Sequence, residues 1–272
     1  MKIEEYAAFS TGEAGGNPAG VVIGESHPPE AEMREIAARL GHSETAFAEG
    51  AGKDWHVRYF APDSEVPFCG HATIALGAAL AGKYGSATYA LRTAAGAISV
   101  EASTQGGIRA TLTSAPTRQE VASDALVSKA AALFGWSKED FTRPPVIAEA
   151  GARHLVLGLP SRATLAEMSY QFEAGQALMR DHGLVTILLM YEAPDGVVHT
   201  RNTFASGGVY EDPATGAASA ALGGWFRDAA LRQGAFDIHQ GDDMGAPSRI
   251  HVAPLPGIGS GVQVSGTVRV LR

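Results

Sequence analysis

The chain has 272 residues, of which 45% are hydrophobic and 18% charged, a balance that suits a globular protein with a large core. Its formal charge of −8 argues against a nucleic-acid groove or an anionic membrane surface, both of which need clustered Lys and Arg. The single cysteine, Cys69, excludes an internal disulfide and a CxxC zinc site and suits a reducing compartment. The start, MKIEEYAAF, is acidic where a signal peptide needs an apolar core, and no apolar run approaches the roughly 18 residues of a membrane helix. The expectation is a cytoplasmic protein without membrane or nucleic-acid partners.

In chain order, strands are predicted at residues 2–9, 19–23, 43–49, 56–61, 87–93, 97–101 and 107–113. In the last of these, Ile108, Ala110 and Leu112 share one face. A helix is predicted at 29–40, where Met33, Ile36, Ala37 and Leu40 recur at helical spacing and Gly41 is the stop. A second, at 72–83, is apolar nearly all round and so reads as buried. In the second half, helices are predicted at 121–134, 172–182 and 214–231, and strands at 151–158, 184–191, 197–204, 235–239, 249–253 and 261–271. The polar, Pro-containing stretch 114–120 marks a boundary between domains at 1–116 and 117–260, with the last strand, about 261–272, a candidate to rejoin the first. The fold class is α+β with many antiparallel strands.

The chain also repeats itself. Glu65–Gly77, EVPFCGHATIALG, matches Glu211–Gly223, EDPATGAASAALG, in its Glu, Pro, Gly, Ala, Ala, Leu and Gly. Upstream, His56 and Arg58 match His199 and Arg201. Two copies of a strand–turn–helix unit account for this, with small residues allowing close helix–strand approach. Asp212 suits an N-cap and Pro213 the first helical position. Gly70 and Gly216 leave amide N–H groups at helix starts, where a small carboxylate binds.

Five segments carry a resemblance: Gly15-Gly16-Asn17-Pro18-Ala19, Ser43-Glu44-Thr45-Ala46-Phe47, Glu65 to Thr73, Glu211 to Gly216, and Met244 to Ser248. Together, and in this order, they resemble the PhzF-like phenazine-biosynthesis isomerase family, which shares its fold with diaminopimelate epimerase. The resemblance implies two pseudo-symmetric domains, each a curved, mostly antiparallel sheet around a central helix, with the active site in the cleft between them. It implies a homodimer, a small-molecule substrate, and proton transfer with no cofactor and no metal. The family's type reaction isomerises a dihydro-hydroxyanthranilate.

Carried over by motif, Glu44 is the acid/base group, His71 touches the substrate and Asp212 is a polar partner from the second half. Asn17, Gly70, Gly216 and Ala217 complete the substrate-contacting set, although Asn17 also reads as a turn residue. Proton transfer between carbons asks for such a carboxylate, tuned by burial. On the first helical turn His71 is expected to stay neutral. Glu44 pairing with Arg58, and Asp212 as a plain cap, are the structural alternatives. Ala217 stands where the family commonly has Ser, Ala246 where Arg is common, and His42 where an apolar residue is usual.

Cys69 is read as a small packing residue, because a two-thiol epimerase mechanism lacks its second thiol. The other histidines, His27, His56, His182, His199, His239 and His251, show no metal-ligand spacing and are read as structural or surface. Two functions stay open: an isomerase or epimerase of a small, carboxylated cyclic compound, and a non-catalytic small-molecule-binding protein on the same fold.

Overall fold

The computed structural model describes residues 2–271 and mixes helices and strands along the whole chain, an α+β arrangement. The chain forms two units: one holds the residues up to 113 and those from 265 onward, the other residues 114–264.

The first unit contains β1 (Ile3–Ser10), β2 (Asn17–Gly24), α1 (Glu30–Leu40), β3 (Thr45–Ala51), β4 (Asp54–Phe60), β5 (Glu65–Val66), α2 (Gly70–Tyr84), β6 (Ala87–Thr93), β7 (Gly96–Ser103) and β8 (Arg109–Thr113). β1 pairs antiparallel with β2, and β3 with β4, which also pairs with β5. β2–β3 and β4–β6 are parallel, because each pair is joined through a helix rather than a tight turn. The helix at the first crossover, α1, buries Met33, Ile36 and Ala37 against Val22, Phe47 and Phe60. Gly41 ends it in the left-handed conformation, as its position in the sequence predicts.

The second unit contains β9 (Arg118–Val121), α3 (Asp124–Leu133), β10 (Val146–Glu149), β11 (Arg153–Gly158), α4 (Arg162–Ala166), α5 (Phe172–Asp181), β12 (Thr186–Glu192), β13 (Val198–Thr203), β14 (Glu211–Asp212), α6 (Gly216–Asp228), β15 (Phe236–Gln240) and β16 (Ser248–Pro254). Its pairings follow the pattern of the first: β10–β11 antiparallel, β11–β12 parallel, β12–β13 and β13–β14 antiparallel, β13–β15 parallel and β15–β16 antiparallel. The last strand, β17 (Val262–Val270), starts in this unit, and its final residues pair with β1.

Each unit buries one helix of small residues. α2 is buried without interruption from Gly70 to Ala81. A Cβ at Gly77 meets Val100 Cγ2 at 2.7 Å, so the helix lies on β7 at a separation only glycine permits. At the matching position of α6, a Cβ at Gly223 meets Val252 Cγ1 at 2.6 Å. The repeated Arg and Glu also have one job in both copies. Arg58 grips Glu65 through Nε and Nη2 at 2.7 and 2.6 Å, and Arg201 grips Glu211 in the same way at 2.9 and 2.5 Å. Each two-pronged pair fastens the short strand ahead of the helix to its neighbour.

The sequence reading needs four corrections here. The predicted boundary segment 114–120 contains a strand, β9, whose residues are all exposed. Backbone pairing with β10 holds it, aided by Arg118–Glu149 and Arg153–Glu120 ion pairs, so no apolar alternation announces it. β10 and α4 are likewise absent from the predicted elements. The helix predicted from 121 starts at Asp124, capped by the Ser123 hydroxyl. Asp212 is not an N-cap, since α6 begins at Gly216 with Thr215 as its N-cap.

Two substitutions in α2 test the close approach. Alanine is favoured over glycine in a helix interior by about 1 kcal/mol, whereas overpacking a tight core costs ~1–3 kcal/mol. Gly77→Ala is expected to lower stability in urea denaturation. Gly82→Ala, where nothing lies within 4 Å of the new Cβ, is expected to raise it.

Candidate active site

The first unit brings Ser43, Glu44, Cys69 and His71 together. Glu44 lies just before β3 and is 8% exposed, one residue ahead of where the predicted strand has become regular. His71 is the second residue of α2 and 6% exposed. Its Nε2 lies 3.3 Å from Ser43 Oγ and 3.5 Å from Glu44 Oε2. Its Nδ1 lies 3.3 Å from the Cys69 sulfur. The same sulfur is 3.9 Å from Nε2, so Ser43 and Cys69 both contact the ring nitrogens.

Glu44 is the unusual member. Its Oε2 is out of contact with solvent and has no hydrogen-bond partner among the described residues. At 3.5 Å the approach to His71 is longer than an ordinary hydrogen bond. Burial raises the Glu44 pKa above the carboxylate norm, opposed in part by side-chain hydrogen bonds with Ser43 and Cys69. Arg58 does not pair with it: that guanidinium is taken by Glu30 and Glu65.

Cys69 is buried, as expected of a packing residue, but packing is not its whole role, because its sulfur engages His71. Neither Ser43 nor Cys69 is singled out for chemistry by the sequence. Their spacing to Glu44 and His71, one and two residues, is the signal that was available. Glu44, Cys69 and His71 also place one ligand atom each within 4.8 Å of one another, a set able to hold a metal ion.

Asn17, Gly70 and His42 also take defined places. Asn17 is buried as the first residue of β2, opposite Ala8, and so sits in the sheet rather than in the turn. The turn falls to Gly16, whose φ of +84° and 2.7 Å Cβ approach to the Ala8 carbonyl demand glycine. Gly70 is the first residue of α2, and its N-cap, Cys69, makes no side-chain capping bond. His42 Nε2 lies 2.6 Å from Glu5 Oε2, which gives that buried carboxylate a polar neighbour.

In the second unit the matching helix start is built differently. Asp212 is buried, and its Oδ2 accepts from the Thr215 hydroxyl at 2.5 Å. Gln240 fixes the turn: its Nε2 donates to the Asp212 carbonyl at 2.6 Å and to Thr215 Oγ1 at 3.0 Å, while its Oε1 accepts from the Thr215 amide at 3.2 Å. Gly216 and Ala217 are the first two helical residues, and Thr215 makes no side-chain capping bond. Both helix starts thus lack the usual side-chain acceptor for first-turn amides.

A model of the phenazine biosynthesis-like protein family, PhzC-PhzF, matches residues 6–269. The chain belongs to that family. It is 32% identical over 265 residues to the uncharacterized isomerase YfhB of Bacillus subtilis, covering 92% of this chain and 89% of that one. It is 30% identical over 220 residues to the trans-2,3-dihydro-3-hydroxyanthranilate isomerase of Pseudomonas fluorescens, covering 79% and 76%. A PhzF-family protein of Bacillus anthracis has the same fold, with a TM-score of 0.84 at 22% identity over 100% of this chain and 98% of that one. A probable proline racemase of Agrobacterium radiobacter follows at 0.70 and 13%, over 99% and 90%. The PhzF-family chain is thus an isomerase-type enzyme. No described helix is long and apolar enough to cross a membrane.

The Glu44 environment has a stability consequence. A carboxyl whose pKa is raised by folding binds its proton more tightly in the native state, so its ionisation destabilises the fold as pH climbs. Glu44→Gln removes that cost. Its urea midpoint is expected to equal the wild type's below the ordinary carboxylate range and to exceed it increasingly as pH rises through the Glu44 pKa. A constant difference across pH contradicts the assignment.

Proposed function

We propose that the enzyme moves a proton between two carbons of a small, carboxylated cyclic substrate, with Glu44 as the carrier and without a cofactor. The observation that supports this most directly is Glu44 Oε2, buried and without a hydrogen-bond partner among the described residues. A carboxylate kept from water is a stronger base than an exposed one, and Oε2 is available to a C–H bond. Glu44 removes the proton from one carbon; the electron pair delocalises through the ring; the same carboxyl returns the proton at the other end. One carrier suffices, which fits a chain with a single thiol.

In this proposal His71, held by Ser43 and Cys69, serves as the neutral hydrogen-bonding partner to the substrate. First-turn amides at Gly70 bind its carboxylate, where the helix dipole favours an anion. Asn17, buried at the start of β2, supplies a further polar contact. A homodimer is part of the same reading and is measured by light scattering.

The non-catalytic alternative draws on Ala217: without a hydroxyl there, ligand contacts differ from the family norm. Turnover separates the two readings. With trans-2,3-dihydro-3-hydroxyanthranilate as the first compound of a panel of cyclic carboxylates, Glu44→Gln is expected to lower kcat by ~10²–10⁴-fold with little change in KM. The acid limb of kcat/KM is expected above the ordinary carboxylate range, because the base acts only after losing its proton. Unchanged turnover in Glu44→Gln removes Glu44 from the mechanism, and binding without turnover by the wild type across the panel favours the receptor reading.

A further inference from the structure

We propose that His27, Glu49 and His56 form a site for one divalent metal ion of the zinc class, separate from the Glu44 cluster. The three residues come from different elements. His27 follows β2 in the segment leading to α1, while Glu49 and His56 face each other across the β3–β4 pair. Their spacing in the sequence therefore hides the site.

The hydrogen bonds define what His27 offers. Its Nε2 lies 3.1 Å from the Phe47 carbonyl, which only accepts, so Nε2 carries the proton. In the neutral ring Nδ1 is then a bare lone pair, and it lies 3.4 Å from Glu49 Oε2. Glu49 Oε2 also accepts the His27 backbone N–H at 2.8 Å, and its remaining lone pair and that of Nδ1 bound a gap that a cation would fill. A histidine that donates one ring N–H to a backbone carbonyl and aims the other nitrogen at a carboxylate has the support typical of metal-bound imidazoles.

The remaining geometry is close to what an ion needs. His56 Nδ1 lies 3.0 Å from Glu49 Oε1, and the two imidazole centroids are 4.9 Å apart. One ligand atom from each residue lies within 4.8 Å of the others. Zinc–ligand bonds of about 2.0–2.1 Å in a tetrahedron separate ligand atoms by about 3.3–3.4 Å, so the His27–Glu49 edge already fits and His56 must close by a small side-chain rotation. On binding, the His56 proton sits on Nε2 instead of Nδ1, and no redox step is involved. Three protein ligands leave the fourth position to water.

A second cluster, His199, His239 and Asp242, is a poorer candidate. Both Asp242 oxygens are held by Arg249, at 3.0 and 3.3 Å, so that carboxylate already has its cation.

The test uses the full-length protein, stripped with EDTA and titrated with zinc chloride by calorimetry and with cobalt chloride by visible absorption. One equivalent of zinc is expected, with tetrahedral cobalt bands lacking a thiolate charge-transfer feature, and with a zinc-dependent rise in Tm. His56→Asn and Glu49→Gln are each expected to weaken binding by at least ~10-fold and to abolish the Tm shift, whereas His199→Ala leaves both unchanged. Two half-exposed positions are used so that a folding failure in one does not void the test, and Tm without metal checks each. The proposal is overturned by absence of saturable zinc binding, by binding that ignores both substitutions, or by binding lost instead in Cys69→Ser. None of these readouts depends on isomerase activity.

Discussion

The contact of a small-residue helix with its sheet is the constraint on which the candidate site depends. Gly77 allows α2 to lie against Val100, and that fixes where the helix begins. Its second residue, His71, is thereby delivered to Glu44, which enters from the segment ahead of β3. The Arg58–Glu65 pair acts on the same joint, fastening the chain just before the helix turns in. The second unit repeats the mechanical parts, Gly223 and the Arg201–Glu211 pair, and changes the polar groups. The repeat thus preserves a scaffold and lets each helix start carry different chemistry.

Glu44 is costly to the fold and useful for the same reason. A buried carboxyl with one oxygen lacking a donor resists ionisation, and a structure selected only for stability would pair it or replace it. Perturbed carboxyls of this kind concentrate at functional sites. The neighbours are consistent with that reading, since Ser43 and Cys69 both contact the His71 ring while Glu44 Oε2 keeps no hydrogen-bond partner among the described residues.

Much of this was legible in the sequence. The strand periods, the α1 stop at Gly41 and the small-residue helix all follow from local pattern, and the Arg and Glu of the repeat turn out to be partners in each copy. Glu44 and His71 were found through motif, and the structure puts them 3.5 Å apart. What the pattern misses has physical reasons. β9 is held by backbone pairing and ion pairs, which leave no hydrophobic signature. Asp212-Pro213 looks like a helix entry, yet the chain first completes β14 and a turn fixed by Gln240, a residue far along the sequence. The Cys69–His71 contact depends on side-chain direction at a helix start, which spacing of two residues leaves undetermined.

The central claim is that Glu44 carries a proton to and from carbon. Hydrogen exchange reads this without requiring net conversion. Wild-type enzyme, incubated in D2O with a bound cyclic carboxylate, is predicted to place deuterium at a ring carbon of the ligand, detected by mass spectrometry and NMR, and Glu44→Gln is predicted to bind the same ligand with no incorporation. Incorporation at the wild-type rate in Glu44→Gln contradicts the account.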